Sequence, residues 1–234
     1  MYNKRILFVS TIFAIITGVI LFWLSNSSSA GITNMAERFE KIAASDKLPA
    51  SETKGTYAID RAHSYIGFKV RHMGLVDVPG SFNSFEGSID FDSSKIKNST
   101  VEFSAEVKSI DTRVEGRNNH LRSKDFFEVE TYPELTFKST RVKKKGKRYI
   151  VTGNLTMKGV TKEIAIPFRI FGPIKDARGN VKMGIQGETS INRRTFNINY
   201  GNNLPNGIPT ISDTVVIDLQ LETALRKPNE TAKQ

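Results

Sequence analysis

Three histidines, His63, His72 and His120, are the side chains of this sequence best suited to proton transfer or metal binding near neutral pH. Three imidazoles could hold zinc, yet none stands in an HExxH helix or a comparably tight spacing. His63 precedes a run of alternating residues and His72 lies near its far end, about 30 Å away at roughly 3.3 Å per residue. They are too far apart to share a metal, so no metal centre is expected. His63-Ser64 reads instead as a turn-stabilising pair. Asp60 and Asp90 alternate outward on their runs and read as solvated surface carboxylates rather than an acid–base pair. The sequence has no GxSxG and no glycine-rich phosphate loop. It also lacks cysteine, which excludes disulfides, thiolate nucleophiles, thiolate metal sites and a lipid-modified cysteine anchor. The expectation is a protein that is not an enzyme and carries no cofactor. An enzyme acting on a lipid-like substrate through the histidines stands as the catalytic alternative.

The elements that must position these residues are strands. Ile66, Phe68 and Val70 alternate with Gly67, Lys69 and Arg71, and Val101, Phe103, Ala105 and Val107 alternate with polar partners. Ile164, Ile166, Phe168 and Ile170 repeat the pattern, as do Val215, Ile217, Leu219 and Leu221. A period of two puts each apolar set on one face of a strand. Strands are expected at 57–60, 64–73, 85–91, 100–110, 135–142, 149–157, 163–171, 181–192 and 214–222. Gly74, Pro79-Gly80, Asp92–Lys95, Gly146, Lys158-Gly159 and Asp176–Gly179 supply the turns. Many one-faced strands in succession need a sandwich or a closed barrel to bury their apolar faces. One segment breaks the pattern: Glu115–Val129 carries Leu121, Phe126 and Phe127 at near-helical spacing. It reads as one or two short helices closing one end of a barrel.

The 234 residues fit one globular domain with an appendage. Lys4 and Arg5 precede the uncharged, mostly apolar stretch 6–24. As a helix at 1.5 Å per residue that stretch spans about 28 Å, close to a bilayer's hydrocarbon thickness. Residues 1–30 therefore read as a signal-anchor that leaves the rest of the chain extracytoplasmic, in the periplasm or cell envelope. The alternative is a signal peptide cut after Ser28-Ser29-Ala30, giving a soluble periplasmic or secreted protein. Residues 31–53 read as a linker. Met35, Phe39 and Ile42 have helical spacing within it, and Pro49 ends any helix. Residues 54–225 hold the barrel, and 226–234 a polar, disordered tail. The net charge of +10 favours anionic surfaces. Within the run 141–148 every residue but Val142 and Gly146 is basic. It reads as a solvated hairpin tip, with attraction to anionic headgroups as its functional reading. No aromatic residues interleave with that run to stack bases, so no nucleic-acid partner is expected.

Tyr57-Ala-Ile-Asp60, His63-Ser64 and the block Ile66–Gly74 resemble the opening of the YceI family, the lipocalin-like polyisoprenoid-binding proteins. The resemblance continues through 80–87, Ser109–Thr112, Arg117–Phe127, Tyr132-Pro133, Gly153–Lys162 and Ile191–Arg193. One departure follows Arg193, where Thr195-Phe196-Asn197 stands in place of the family's usual Asp-Phe-Gly. The resemblance implies an all-β fold: an extended, eight-stranded antiparallel barrel holding a long isoprenoid, such as a quinone or polyprenyl lipid. On that reading the tunnel is lined by Ile66, Phe68, Val70, Phe82, Phe85, Ile89, Phe91, Phe103 and Ala105. Leu121, Phe126, Phe127, Phe137, Leu155, Ile164, Ile166 and Phe168 complete its wall, with Arg117 and His120 as candidate headgroup contacts. A ten-residue strand extends about 33 Å and, tilted by roughly 40°, gives a barrel about 25 Å tall. That length suits a lipid tail better than a compact metabolite. The competing reading is an interaction module with a filled barrel. A long open strand edge would also permit a homodimer.

Overall fold

A computed structural model describes residues 48–227. The apolar stretch 6–24, the helix expected around Met35–Ile42 and the tail beyond residue 227 lie outside the described residues.

Three strands of the barrel are broken in the middle. β1 (Gly55–Ile59) and β2 (Tyr65–His72) are halves of one run, separated by a 3₁₀ turn at Arg61–His63. β3 (Val76–Phe82) and β4 (Phe85–Phe91) form the next run, and β5 (Thr100–Glu106) and β6 (Ile110–Asp111) the third. At the first break Asp60 caps the turn, accepting from Ala62 N–H at 3.0 Å and pairing with His63 Nδ1 at 3.0 Å. Ser64 Oγ takes up the backbone of the neighbouring strand, donating to Glu222 O (3.2 Å) and accepting from Glu222 N (3.0 Å). The His63-Ser64 pair therefore repairs the ladder where the strand leaves it. Asp60 is no freely solvated carboxylate: the His63 bond is the main cause holding it below the usual carboxylate range.

β7 (Glu134–Lys145), β8 (Arg148–Met157), β9 (Val160–Lys175), β10 (Val181–Asn192) and β11 (Ile211–Leu225) follow as a meander. Every pairing is antiparallel, and β11 returns to β1 through Tyr57↔Leu225 and Ile59↔Thr223. The ring so closed has eight strands, the expected all-β barrel. Above the breaks β2 continues on β11 and β3, and β6 pairs only with β3. Closure pairs the seam of the barrel, while residues 76–80 of β3 have no strand on their far side among the described residues.

One turn signal behaves differently from expectation. Pro79-Gly80 lies inside β3, in register with Lys69 and Phe68. Proline is tolerated there because the other side of β3 is paired only at Ser81 and Phe82, which leaves Pro79 on an edge. Pro49 precedes a helix, α1 (Ala50–Thr53); a residue without an N–H is harmless at a helix start. α2 (Glu115–Arg122) lies between β6 and β7 in the expected non-alternating segment.

At the departure Thr195-Phe196-Asn197 the chain makes a 3₁₀ turn, Arg193–Phe196. Asn197 takes the left-handed conformation (φ 59°) that a glycine would adopt freely, and asparagine is among the few side chains that enter it. Phe196 beside it is 1% exposed, so the turn still drives an aromatic ring into the core.

Candidate ligand-binding site

Strand alternation aims one apolar face of every wall at the axis, and these faces do not meet. They enclose a cavity of about 390 Å³, within the usual range of ligand sites, about 300–1,000 Å³. On β11 its wall runs from Ile211 through Val215, Ile217 and Leu219 to Leu221. Ten residues rise about 33 Å, so at a tilt of roughly 40° the cavity follows the barrel for about 25 Å.

The base is sealed. Tyr57 (0% exposed), Phe91, Val181, Met183 and Ile185 form one cluster, with Leu48 and Ile96 packed against it. The rings of Tyr57 and Phe91 meet edge to face at 6.1 Å. Tyr57 donates its hydroxyl to Thr53 O at 2.8 Å, and burial pushes its pKa to about 12. Asp92 ties the base shut from outside, accepting from Lys54 Nζ (2.8 Å), Ser94 Oγ (2.6 Å) and Lys95 N (2.9 Å). Lys54 is the first cause holding its carboxyl far below the usual range, with Ser94 next.

The opposite end is the mouth, where the wall residues His72, Arg117 and Tyr200 are exposed. Arg117 is fixed on α2 by donating Nε to Thr112 Oγ1 (2.8 Å) and Nη2 to Thr112 O (2.7 Å). Thr112 is held in turn by Asn118 Oδ1, which accepts from its amide and its hydroxyl. His120 pairs with Asp125 at 2.9 Å and lies edge-on to Phe126 and Tyr200, with centroids at 5.1 and 4.7 Å. Arg193 is buried beneath the rim, donating to Ser212 O, Ile198 O and Ile211 O and to Asp213 Oδ1. His72, Arg117, His120 and Arg193 thus give the wall four basic groups, and among the described residues no carboxylate lines it.

Most of the expected wall is brought together. Ile66, Phe68, Val70, Phe82, Ile89, Phe91 and Phe103 line the cavity, as do Leu121, Phe126, Phe127, Phe137, Leu155, Ile164, Ile166 and Phe168. Arg117 and His120 stand at its mouth. Phe85 and Ala105 do not line it: both are buried at the β3–β4 bend in a cluster with Ile110 and Leu135. Two glycines make room for aromatic wall residues. A Cβ on Gly80 would lie 2.3 Å from the Phe68 ring, and one on Gly153 would lie 2.6 Å from that of Phe137. The inward faces of β10 and β11, with Met183, Ile185 and Val215–Leu221, were missed as wall residues although their alternation is plain. Tyr200 and Ile198 sit in an irregular loop with no period to give them away.

The apolar lining suits an apolar body. Asp60, His63 and Glu222 bring their ligand atoms within 4.8 Å of one another. Lys182 already bonds Glu222 and stands 3.9 Å from Asp60, so a cation is built into that group. It lies at the strand break and not in the cavity wall.

The YceI-like domain model matches residues 57–223, from the base of β1 to the end of β11. The chain belongs to the YceI-like family. Among curated relatives, a UPF0312 protein of Photorhabdus laumondii is 39% identical over 150 residues, covering 63% of this chain and 78% of that one. Another UPF0312 protein, from Pectobacterium carotovorum, is 40% identical over 136 residues, or 58% and 71% of the two chains. Of solved structures, Burkholderia cenocepacia BcnA superposes with a TM-score of 0.63 at 27% identity, covering 70% of this chain and 98% of its own. The Campylobacter jejuni YCEI protein gives 0.57 at 29%, covering 72% and 96%. A polyisoprenoid binding domain from Saccharophagus degradans gives 0.54 at 18% identity, covering 73% and 98%, and shares the fold.

Proposed function

We propose that this YceI-like barrel binds a long-chain isoprenoid lipid, a quinone or a polyprenyl lipid, and carries it outside the cytoplasm without chemistry of its own. The observation that carries the reading is the continuous apolar cavity, sealed at its base and opening at a basic mouth. A tail of several isoprene units lies along such a cavity, and a headgroup rich in acceptors meets Arg117 and His120. The Saccharophagus fold neighbour, named for polyisoprenoid binding, supports the same class of ligand. An open interior argues against the filled-barrel interaction module. Burying each methylene of the tail is worth about 0.8 kcal/mol against water, and a bilayer offers nearly the same. Net preference over a membrane therefore comes from fit and headgroup contact, which suits reversible loading. Residues 6–24 would anchor the barrel to the cytoplasmic membrane, or cleavage after Ala30 would release it.

The test is to purify the full-length protein, extract it with organic solvent and quantify prenyl lipids by mass spectrometry. About one isoprenoid per chain is expected. Protein free of lipid that also fails to take up added quinones or polyprenyl lipids would refute the reading.

A further inference from the structure

The two ends of the barrel differ in charge. At the base, Lys95 and Lys97 flank the β4–β5 connection, Lys143, Lys145 and Arg148 the β7–β8 hairpin, and Arg178 stands in the β9–β10 turn. These loops stand at the same end of the barrel: the Ile96–Asn98 turn packs on β7, and Lys175 at the end of β9 pairs with Glu52 of α1. The acids there are few and already engaged. Glu52 is taken by Lys175, Asp92 by Lys54, and Asp176 accepts the amides of Arg178 and Asn180 in its own turn.

At the mouth several cations have an acid beside them, while Arg117 is held by Thr112. Arg71 Nε lies 2.9 Å from Asp77, Arg122 Nη1 2.9 Å from Glu115, and Arg194 Nε 2.6 Å from Asp213, which Arg193 shares. The mouth also exposes apolar side chains: Leu75 (75%) and Val76 (57%) on the β2–β3 turn, with Ile208 beside Gly74. The densest basic run of the described residues, 141–148, thus stands at the end away from the opening.

We propose that the base of the barrel is a docking face for an anionic lipid bilayer, and that docking there holds the mouth away from that membrane. Attraction of basic side chains to anionic headgroups fades within a Debye length, about 8–10 Å near physiological salt. The mouth, about 25 Å along the barrel by the strand geometry, is beyond that reach. The polypeptide also enters the described fold at this end, through Leu48. A barrel so docked exchanges its ligand with an acceptor facing it, not with the membrane it stands on. The inference is independent of what the cavity holds.

The chain has no cysteine, so Ala177→Cys in the exposed β9–β10 turn and Leu75→Cys at the mouth each accept one fluorescent label. Both full-length variants are incorporated into vesicles carrying a headgroup-attached quencher, either neutral phosphatidylcholine or mixed with phosphatidylglycerol. The Ala177 label is expected to be quenched several-fold more than the Leu75 label in anionic vesicles. That difference should vanish in neutral vesicles and at ~1 M salt, where the screening length is about 3 Å. Lys143→Glu with Lys145→Glu should abolish it likewise; if that variant misfolds by circular dichroism, the salt series on the single-label protein decides. Stronger quenching at Leu75, or quenching at Ala177 indifferent to phosphatidylglycerol and salt, would overturn the proposal.

Discussion

Phe68→Glu places an ionisable group in the tunnel wall, where Phe68 is half-buried on β2 with its ring 5.9 Å from that of Phe82. In the empty barrel a carboxylate there is reached by water through the mouth, so the fold should survive. Filling the tunnel with a tail strips that water away. Burying a carboxyl group without a hydrogen-bond partner costs about 1–3 kcal/mol on protein scales, and lost contact with the Phe68 ring adds to this. At 1.36 kcal/mol per factor of ten, isoprenoid affinity should fall by roughly 5- to 150-fold or more. Desolvation raises the pKa of the introduced acid in the filled state. The defect should therefore be largest near neutral pH and shrink as pH falls towards the ordinary glutamate range, about 4.3. Delipidated wild type, Phe68→Glu and Phe68→Leu would be titrated with a prenylquinone at several pH values, with circular dichroism confirming β-structure. A folded Phe68→Glu protein that binds as tightly as wild type, with no pH dependence, would refute the tunnel as the ligand site.

Asn197→Ala should lower stability by about 1–2 kcal/mol because alanine is strained at a left-handed position, while Asn197→Gly should be neutral or slightly stabilising; thermal melts of the pair decide. Gly153→Ala would set a Cβ 2.5 Å from the Lys138 carbonyl oxygen and 2.7 Å from Ser139 Cα. Backbone cannot step aside as a side chain can, so denaturant titration should show a loss of about 1–3 kcal/mol. Asp92 has a folded-state pKa below its unfolded one, so its stabilisation is complete above about pH 4 and drains as pH falls through the depressed value. Asp92→Asn should therefore be less stable than wild type at neutral pH and lose less on acidification, read from melting temperatures against pH.

The barrel was legible because alternation is a local property. Val181–Asn192 reads as a strand from its own residues and is one, and the non-alternating Glu115–Val129 does contain a helix. What a period of two cannot say is whether an inward residue meets empty space or a neighbour. Phe85 and Ala105 alternate in the same way as Phe103, yet the bend between β3 and β4 packs them into solid core. Pro79-Gly80 carries a strong turn signal that its edge position overrides. The first bend rests in part on Ser64, whose hydroxyl bonds the backbone of Glu222 on the neighbouring strand, and a partner so distant in sequence leaves no local mark. The mouth is hardest to read: Tyr200 reaches His120 from an irregular loop whose path only the folded chain defines.

The register of Tyr57 with Leu225 has a consequence for how the barrel comes into being. Each hairpin of the meander can form as its second strand is synthesised, but the seam joins the first strand to the last. Bringing those ends together costs about 4–5 kcal/mol of loop entropy by the (3/2)RT ln n rule. Until β11 arrives, the nascent chain is an open curved sheet with two bare edges and an uncovered apolar face, the kind of intermediate prone to aggregate or to need a chaperone. Tyr57, the most buried ring at the base, is among the first barrel residues made and among the last to find its place. The compartment in which β11 is delivered is thus the compartment in which the barrel can first close around a lipid.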